Sequence, residues 1–289
     1  TYPGREGPKP TYIFDHRGAA SVAHVYGQNI AAAESLTAFG YPWAFAPRDL
    51  QPVADLQFAL GINRIVVHTS VHQPLSDRRP GMSLRPLLGQ YFNRHETWAE
   101  QAGPWVDYLS RSSFLLQQGR FVADIAYFYG QEAPITGLEP RDQPRGFGFD
   151  FVNDDVLLNQ FSVADGQLAT PGGMRYRMLY LGGTSQRMTL DVLRKVDEFV
   201  RAGARVAGAK PTGSPSLADD QAEFGRLADA LWSTGRIVTS ADPGVRADFD
   251  LPGADVMFLH GRPSDPDIYF VSNRTARTVS GDAVLLRCT

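Results

Sequence analysis

An α/β fold on parallel strands is what this sequence predicts, from three observations. Strand and helix patterns alternate along most of the 289 residues, the strand patterns are short β-branched or aromatic runs, and two early ones end on a polar side chain. Asn29-Ile-Ala-Ala-Ala33 reads as a buried strand that delivers Glu34 at its exit, between Gly27 and Gly40-Tyr-Pro42. Pro47 to Leu60 carries a helical stripe of Leu50, Val53, Ala54, Leu56, Phe58 and Leu60, and Gly61 stops it. Ile62 to Val67 is the next strand and ends at His68. Ser70 to Phe92 holds too many Pro and Gly for a regular element and reads as a long functional loop. An amphipathic helix is expected over Asn93 to Gly119, interrupted at most at Gly103-Pro104.

A second unit opens with a strand at Phe121 to Tyr129 and a Gly/Pro-rich linker to Gly148. Asp150 to Asn159 reads as helical, Phe161 to Leu168 as extended with a turn at Asp165-Gly166, and Arg175 to Leu181 as a strand. Helices at Thr189 to Ala202 and Gln221 to Ser233 alternate with strands at Ala204 to Ala207 and Arg236 to Thr239, as in an open parallel sheet. Asp255 to His260 and Asp267 to Ser272 read as a hairpin.

Composition narrows the function. A 43% hydrophobic, 20% charged chain of this length has room for two domains, and a net charge of -3 lacks the basic footprint that nucleic acid requires. No apolar run approaches the roughly 18 residues of a membrane span. Cys288 is the one cysteine, too few for a disulfide or a Cys-rich metal site. Both ends read as cuts through a longer polypeptide, and the Arg- and Ala-rich composition points to a bacterial source. Asn273-Arg-Thr275 is a glycosylation sequon by pattern only, and Gly182-Gly-Thr-Ser185 lacks the Lys of a phosphate-binding loop and reads as a plain turn.

The motifs His24-Val-Tyr-Gly27, Ala32-Ala-Glu-Ser35, Gly61-Ile-Asn63, His68-Thr-Ser-Val-His-Gln-Pro74, Pro80-Gly-Met82, Leu115-Leu-Gln-Gln-Gly119 and Asp124-Ile-Ala-Tyr-Phe128 follow one another in a familiar order. Asn153-Asp-Asp-Val-Leu157, Asp165-Gly166, Ser214-Pro-Ser-Leu217 and Asp267-Ile-Tyr-Phe-Val-Ser-Asn273 extend it. Over nearly its whole length the chain resembles the α-L-rhamnosidases of glycoside hydrolase family 106. The resemblance implies that residues 1–119 are the last units of a TIM-like (β/α)8 catalytic barrel. Residues 120–289 would then be an open parallel, glutamine-amidotransferase-like α/β domain, cut near a following β-rich region. It implies a secreted or periplasmic enzyme acting on terminal α-L-rhamnosyl linkages of polysaccharides or glycosides, with a carbohydrate and the rest of the parent chain as its partners. It also implies a calcium ion whose ligands the sequence does not place, and no nucleotide or redox cofactor; oligomeric state is not readable.

Glycoside hydrolysis needs two carboxyl groups. By resemblance to an inverting family Glu34 is the general base and the acid lies upstream, so the fragment alone is expected to be inactive; a buried structural carboxylate or a helix N-terminal acid is the alternative reading. His68 and His72 lack further metal ligands and read as hydrogen-bonding groups for sugar hydroxyls. Trp43 and Trp98 are candidate stacking faces for a deoxy sugar, although Trp98 also suits a helix core. Asp15, Arg17 and His24 are lesser candidates from a neighbouring loop. Two rival readings remain open: another barrel glycosidase, β-galactosidase-like with Glu34 as nucleophile, and an inactive carbohydrate-binding or structural module.

Overall fold

The computed structural model describes residues 10–85, 91–132, 146–238, 244, 246–263 and 266–285. Chain order begins with α1 (Pro10–Val25), β1 (Ala32–Ser35), α2 (Pro47–Ala59), β2 (Arg64–Val67) and α3 (Gly103–Leu116). It continues through β3 (Arg120–Phe121), β4 (Ile125–Phe128), β5 (Phe149–Val152), β6 (Ser162–Ala164), β7 (Gln167–Ala169), β8 (Arg175–Tyr176) and β9 (Met178–Leu181). After these come α4 (Leu190–Arg201), β10 (Val206–Gly208), α5 (Gln221–Ser233), β11 (Ile237–Val238), β12 (Phe249–Asp250), β13 (Val256–Arg262), β14 (Ile268–Asn273) and β15 (Val284–Leu285).

Two parallel sheets carry the fold. β1 and β2 pair with Glu34 opposite Val66 and Ser35 opposite Val67. Five strands in the order β5-β4-β9-β10-β11 form the second sheet, every pairing parallel. In order of use that is 2-1-3-4-5, the doubly wound arrangement whose crossovers reverse direction beside the first strand. The expected hairpin is present as β13 and β14, and β13 also pairs with β3. Helices α4 and α5 cover the five-stranded sheet with Leu193, Val196, Phe199, Phe224 and Leu231, while α2 and α3 pack Leu50, Phe58 and Trp105 into a separate core with Leu36.

The Gly61-Ile-Asn63 motif has a positional purpose. Asn63 is buried; its carbonyl accepts from Ala31 N at 3.0 Å and its amide donates to Asn29 O at 2.8 Å and Leu116 O at 3.2 Å. One side chain thereby ties the entries of β1 and β2 to the end of α3. With the Asn29 carbonyl and Ala31 N–H spent on Asn63, the strand runs over residues 32–35 rather than 29–33, so that Glu34 lies within it.

Three further expectations need correction. Residues 10–25, read only as Gly- and Ala-rich, form α1; Ala20 and Ser21 are wholly buried, and Ser21 Oγ accepts from Phe151 N at 2.9 Å, a close approach that small residues permit. Residues 149–152 are a strand, not the start of a helix. Phe149 and Phe151 alternate into one core, and Asp150 tolerates burial because His24 and Tyr176 bind it. The helix expected from Asn93 begins at Gly103, after a short 3-10 turn at Ala99–Gln101, because Pro104 fits a first turn, where no N–H is required of it. Cys288 lies outside the described residues.

Candidate active site

Glu34, Thr37 and His68 meet where β1 and β2 end. Glu34 is exposed on β1, and the chain then turns through Leu36, which takes a left-handed φ of 70° while its side chain stays buried. This turn brings Thr37 back beside the strand: its Oγ1 donates to Glu34 Oε1 at 3.5 Å and lies 3.0 Å from His68 Nδ1. The next strand delivers His68, whose N–H donates to Ser35 O at 2.9 Å, continuing the ladder by one residue. A carboxylate, a hydroxyl and an imidazole thus form one chain of polar contacts at adjacent strand exits.

The loop after β1 presents aromatic surface. Trp43 has a φ of 65°, a conformation that costs a bulky residue on the order of 1–3 kcal/mol and that persists only where its surroundings impose it. Its Nε1 donates to His95 O at 3.0 Å, leaving the ring 41% exposed, and Phe39 and Tyr41 are exposed alongside it in sequence. Trp98 occupies a different position. It packs half-buried into the core beneath this loop, donates to Phe45 O at 3.0 Å and meets Phe92 edge-on, so it supports the loop that carries Trp43.

The Pro-rich loop after β2 has no helix or strand over its described residues 70–85, yet it is internally fastened. Gln73 is buried; its amide donates to Met82 O at 2.7 Å and its carbonyl accepts from Met82 N at 2.7 Å, while Arg94 donates to Gln73 O at 2.6 Å. Gly81, at φ 93°, sits so close to Gln73 that any side chain there would collide with it. His72 is exposed in this loop, and no described contact joins it to Glu34. Sequence reasoning missed Thr37 and Gln73. A Thr three residues after a carboxylate and a Gln between His and Pro are unremarkable in a sequence, and only the left-handed turn and the folded loop give them partners.

Arg17 and His24 serve the seam between α1 and the five-stranded sheet. His24 Nδ1 is 2.8 Å from Asp150 Oδ1 and its ring stacks on Phe121 at 4.2 Å. Arg17 donates to Ala59 O at 3.0 Å and lies 5.0 Å from the Phe149 ring; burial pushes its guanidinium down to about 10, against the opposing pull of Asp150. Asp15 is exposed on the same helix. Among the described residues no group of three or more His, Cys, Asp or Glu side chains converges to hold a metal.

At the exits of the five-stranded sheet the loops are tied to one another beside a polar crevice lined by Tyr129, Gly130, Asn153, Asp154, Thr189 and Ser216. Thr184 donates through both N and Oγ1 to Tyr129 O at 3.0 Å, Gly182 N donates to Phe128 O at 3.0 Å, and a side chain at Gly130, where φ is 97°, would strike Thr184 and Ser185. Internal acceptors also occupy the start of α4: Gln131 Oε1 takes Thr189 N and Asp219 Oδ2 takes Leu190 N, both at 2.7 Å. The Ser214 hydroxyl and the Leu190 N–H hold the Asp219 carboxyl below its ordinary range, which gives the Ser214-Pro-Ser-Leu217 motif a capping role. Gly182-Gly-Thr-Ser185 is therefore a packed turn.

These features define the class: an α/β protein with a carboxylate, a hydroxyl and an imidazole held at the exits of parallel strands beside an aromatic surface. A model of glycoside hydrolase family 106, described as alpha-L-rhamnosidase, matches residues 3–287, and the chain belongs to that family. It is similar to the solved structure of a rhamnosidase from Novosphingobium sp. PP1Y, at 46% identity and a TM-score of 0.87 over 93% of this chain and 28% of that one. It is also 37% identical over 267 residues to a Formosa agariphila protein named "Putative beta-glucuronidase", covering 88% of this chain and 22% of that protein. The chain thus spans between a fifth and a third of the length of these relatives.

Proposed function

We propose that this chain supplies one half of the catalytic site of an inverting glycoside hydrolase that removes terminal α-L-rhamnosyl groups. Glu34 is the general base, and the acid stands on polypeptide outside residues 1–289. The observation that carries this reading is the placement of Glu34, Thr37 and His68 at adjacent exits of β1 and β2, where barrel enzymes keep their chemistry. In the step, a water oxygen bonds to the anomeric carbon while its proton passes to a Glu34 oxygen. The glycosidic C–O bond breaks on the opposite face, and the departing oxygen takes the proton of the acid. His68 and His72 would bind sugar hydroxyls, and Trp43 would meet the apolar face of the 6-deoxy sugar; Trp98 would contribute by holding the Trp43 loop.

Val66 and Val67, β-branched yet exposed, lie on a strand whose only partner among the described residues is β1, which supports reading β1 and β2 as neighbours in a larger barrel. On this reading residues 1–119 belong to the barrel and 120–289 to an amidotransferase-like domain that stabilises it, with α1 packed across the boundary onto β5. Calcium ligands would come from outside the described residues. A polymeric or glycosidic substrate fits a periplasmic or extracellular enzyme.

Rates on p-nitrophenyl α-L-rhamnoside and β-glucuronide by the complete polypeptide, with proton NMR of the first-formed sugar, test the reading. Turnover of the rhamnoside with β-rhamnose appearing first is expected. The α anomer first would make Glu34 a nucleophile, preference for the glucuronide would replace the substrate, and turnover of neither would leave a binding module.

A further inference from the structure

The Thr37 hydroxyl stands between the two titratable groups of the site, and its place is built from both strands. Leu36 holds the turn left-handed at φ 70° with its side chain 1% exposed, and His68 is fixed by its backbone bond to Ser35 O at 2.9 Å. The Thr37 contact to His68 Nδ1 is 3.0 Å and that to Glu34 Oε1 is 3.5 Å. A carboxylate only accepts, an imidazole nitrogen accepts or donates according to tautomer, and a hydroxyl does both at once. With the proton on Nδ1, the imidazole donates to Thr37 Oγ1 and the hydroxyl donates to Glu34. That tautomer leaves His68 Nε2 as an acceptor for a sugar hydroxyl.

We propose that Thr37 is a positioning residue for the Glu34 carboxylate, linking its orientation to His68 and hence to the substrate hydroxyl that His68 receives. The inference rests on the reading of Glu34 as the base. A hydrogen bond of 3.5 Å is long, as catalytic contacts commonly are before substrate enters, and it closes when the sugar engages Nε2. Thr37 thereby ties readiness of the base to occupation of the site, an effect on the chemical step more than on ground-state binding.

The test uses the complete polypeptide with p-nitrophenyl α-L-rhamnoside. Thr37→Val keeps shape and removes the hydroxyl; kcat is expected to fall about tenfold, the scale of one lost hydrogen bond, with KM within about twofold. Thr37→Ser restores kcat to within about threefold of the native enzyme, and Thr37→Val adds no further loss in a Glu34→Gln background. If Thr37→Val does not fold, Thr37→Ala decides by the same split of kcat from KM. Native kcat in the Val or Ala variant, a Ser variant as slow as Val, or a full additive loss with Glu34→Gln overturns the role of Thr37. Native kcat in Glu34→Gln overturns the reading of the base instead, so the two failures are distinguishable.

Discussion

The exits of β1 and β2 and the exits of β4 and β9 are built on the same parallel α/β plan and have opposite surfaces. At the first, Glu34 is exposed, His68 is half-buried, and two non-glycine residues, Leu36 and Trp43, hold left-handed backbone. At the second, glycines carry the positive φ angles at Gly130 and Gly183, and the loops close on each other through Thr184 and Tyr129. The topology that makes a crevice at a strand exit does not make a site; the side chains set there do. Leu36 and Trp43 carry left-handed backbone at the first exit, where their surroundings must impose it, whereas glycines take it without strain at the second.

The largest expected effect lies at the exit of β4. Gly130→Ala forces a Cβ onto Thr184 and a left-handed alanine, and should lower unfolding free energy by about 3 kcal/mol. Denaturant titration measures this, and rhamnoside turnover per folded molecule should not change. A fully stable Gly130→Ala would mean that the Thr184 and Ser185 contacts give way without cost.

Asp124, at the entry of β4, gives a pH signature to the same sheet. Burial raises its carboxyl to about 6, opposed by Arg177 and His260 and reinforced by Asp248. Because the folded value lies above the unfolded one, its contribution to stability is fully present below the ordinary carboxylate range and is lost as pH rises through about 6. Asp124→Asn lacks that loss. The melting temperature of the native protein should therefore fall relative to the variant between pH 4 and pH 6.5, by the equivalent of about 1–3 kcal/mol; parallel melting curves across this range would refute it.

The smallest effect belongs to the α1 seam. Tyr176→Phe removes the hydroxyl that donates to Asp150 at 2.9 Å but leaves His24 bound there, and should cost about 1.5 kcal/mol. A loss above about 3 kcal/mol would show Asp150 to depend on the tyrosine rather than on His24.

How much of this was legible in the sequence depended on where the information lay. Helix α5 runs from Gln221 to Ser233 as read, because Asp220 caps it locally by accepting from Ala222 and Glu223 N–H groups. The strand ending at His68 was equally plain from its β-branched run. Hidden features were those whose cause is a distant partner: β5 depends on Asp150 finding His24 and Tyr176, and α1 on Ser21 meeting Phe151. Of the site, Glu34 and His68 were visible as residue types at strand ends, and the exposed Trp43 as an aromatic in the loop that follows. Thr37 was not, since its importance comes from the left-handed turn at Leu36, and nothing about a leucine announces one.

On the proposed function, chemistry resides at the β1 and β2 exits and not at those of the five-stranded sheet. Comparing kcat and melting temperature of Glu34→Gln with the native complete polypeptide tests it most directly. A kcat loss of at least about a hundredfold is expected, the scale of a general base, with the melting temperature unchanged. A Glu34→Gln enzyme that keeps its native rate, or that loses rate only because it no longer folds, would contradict it.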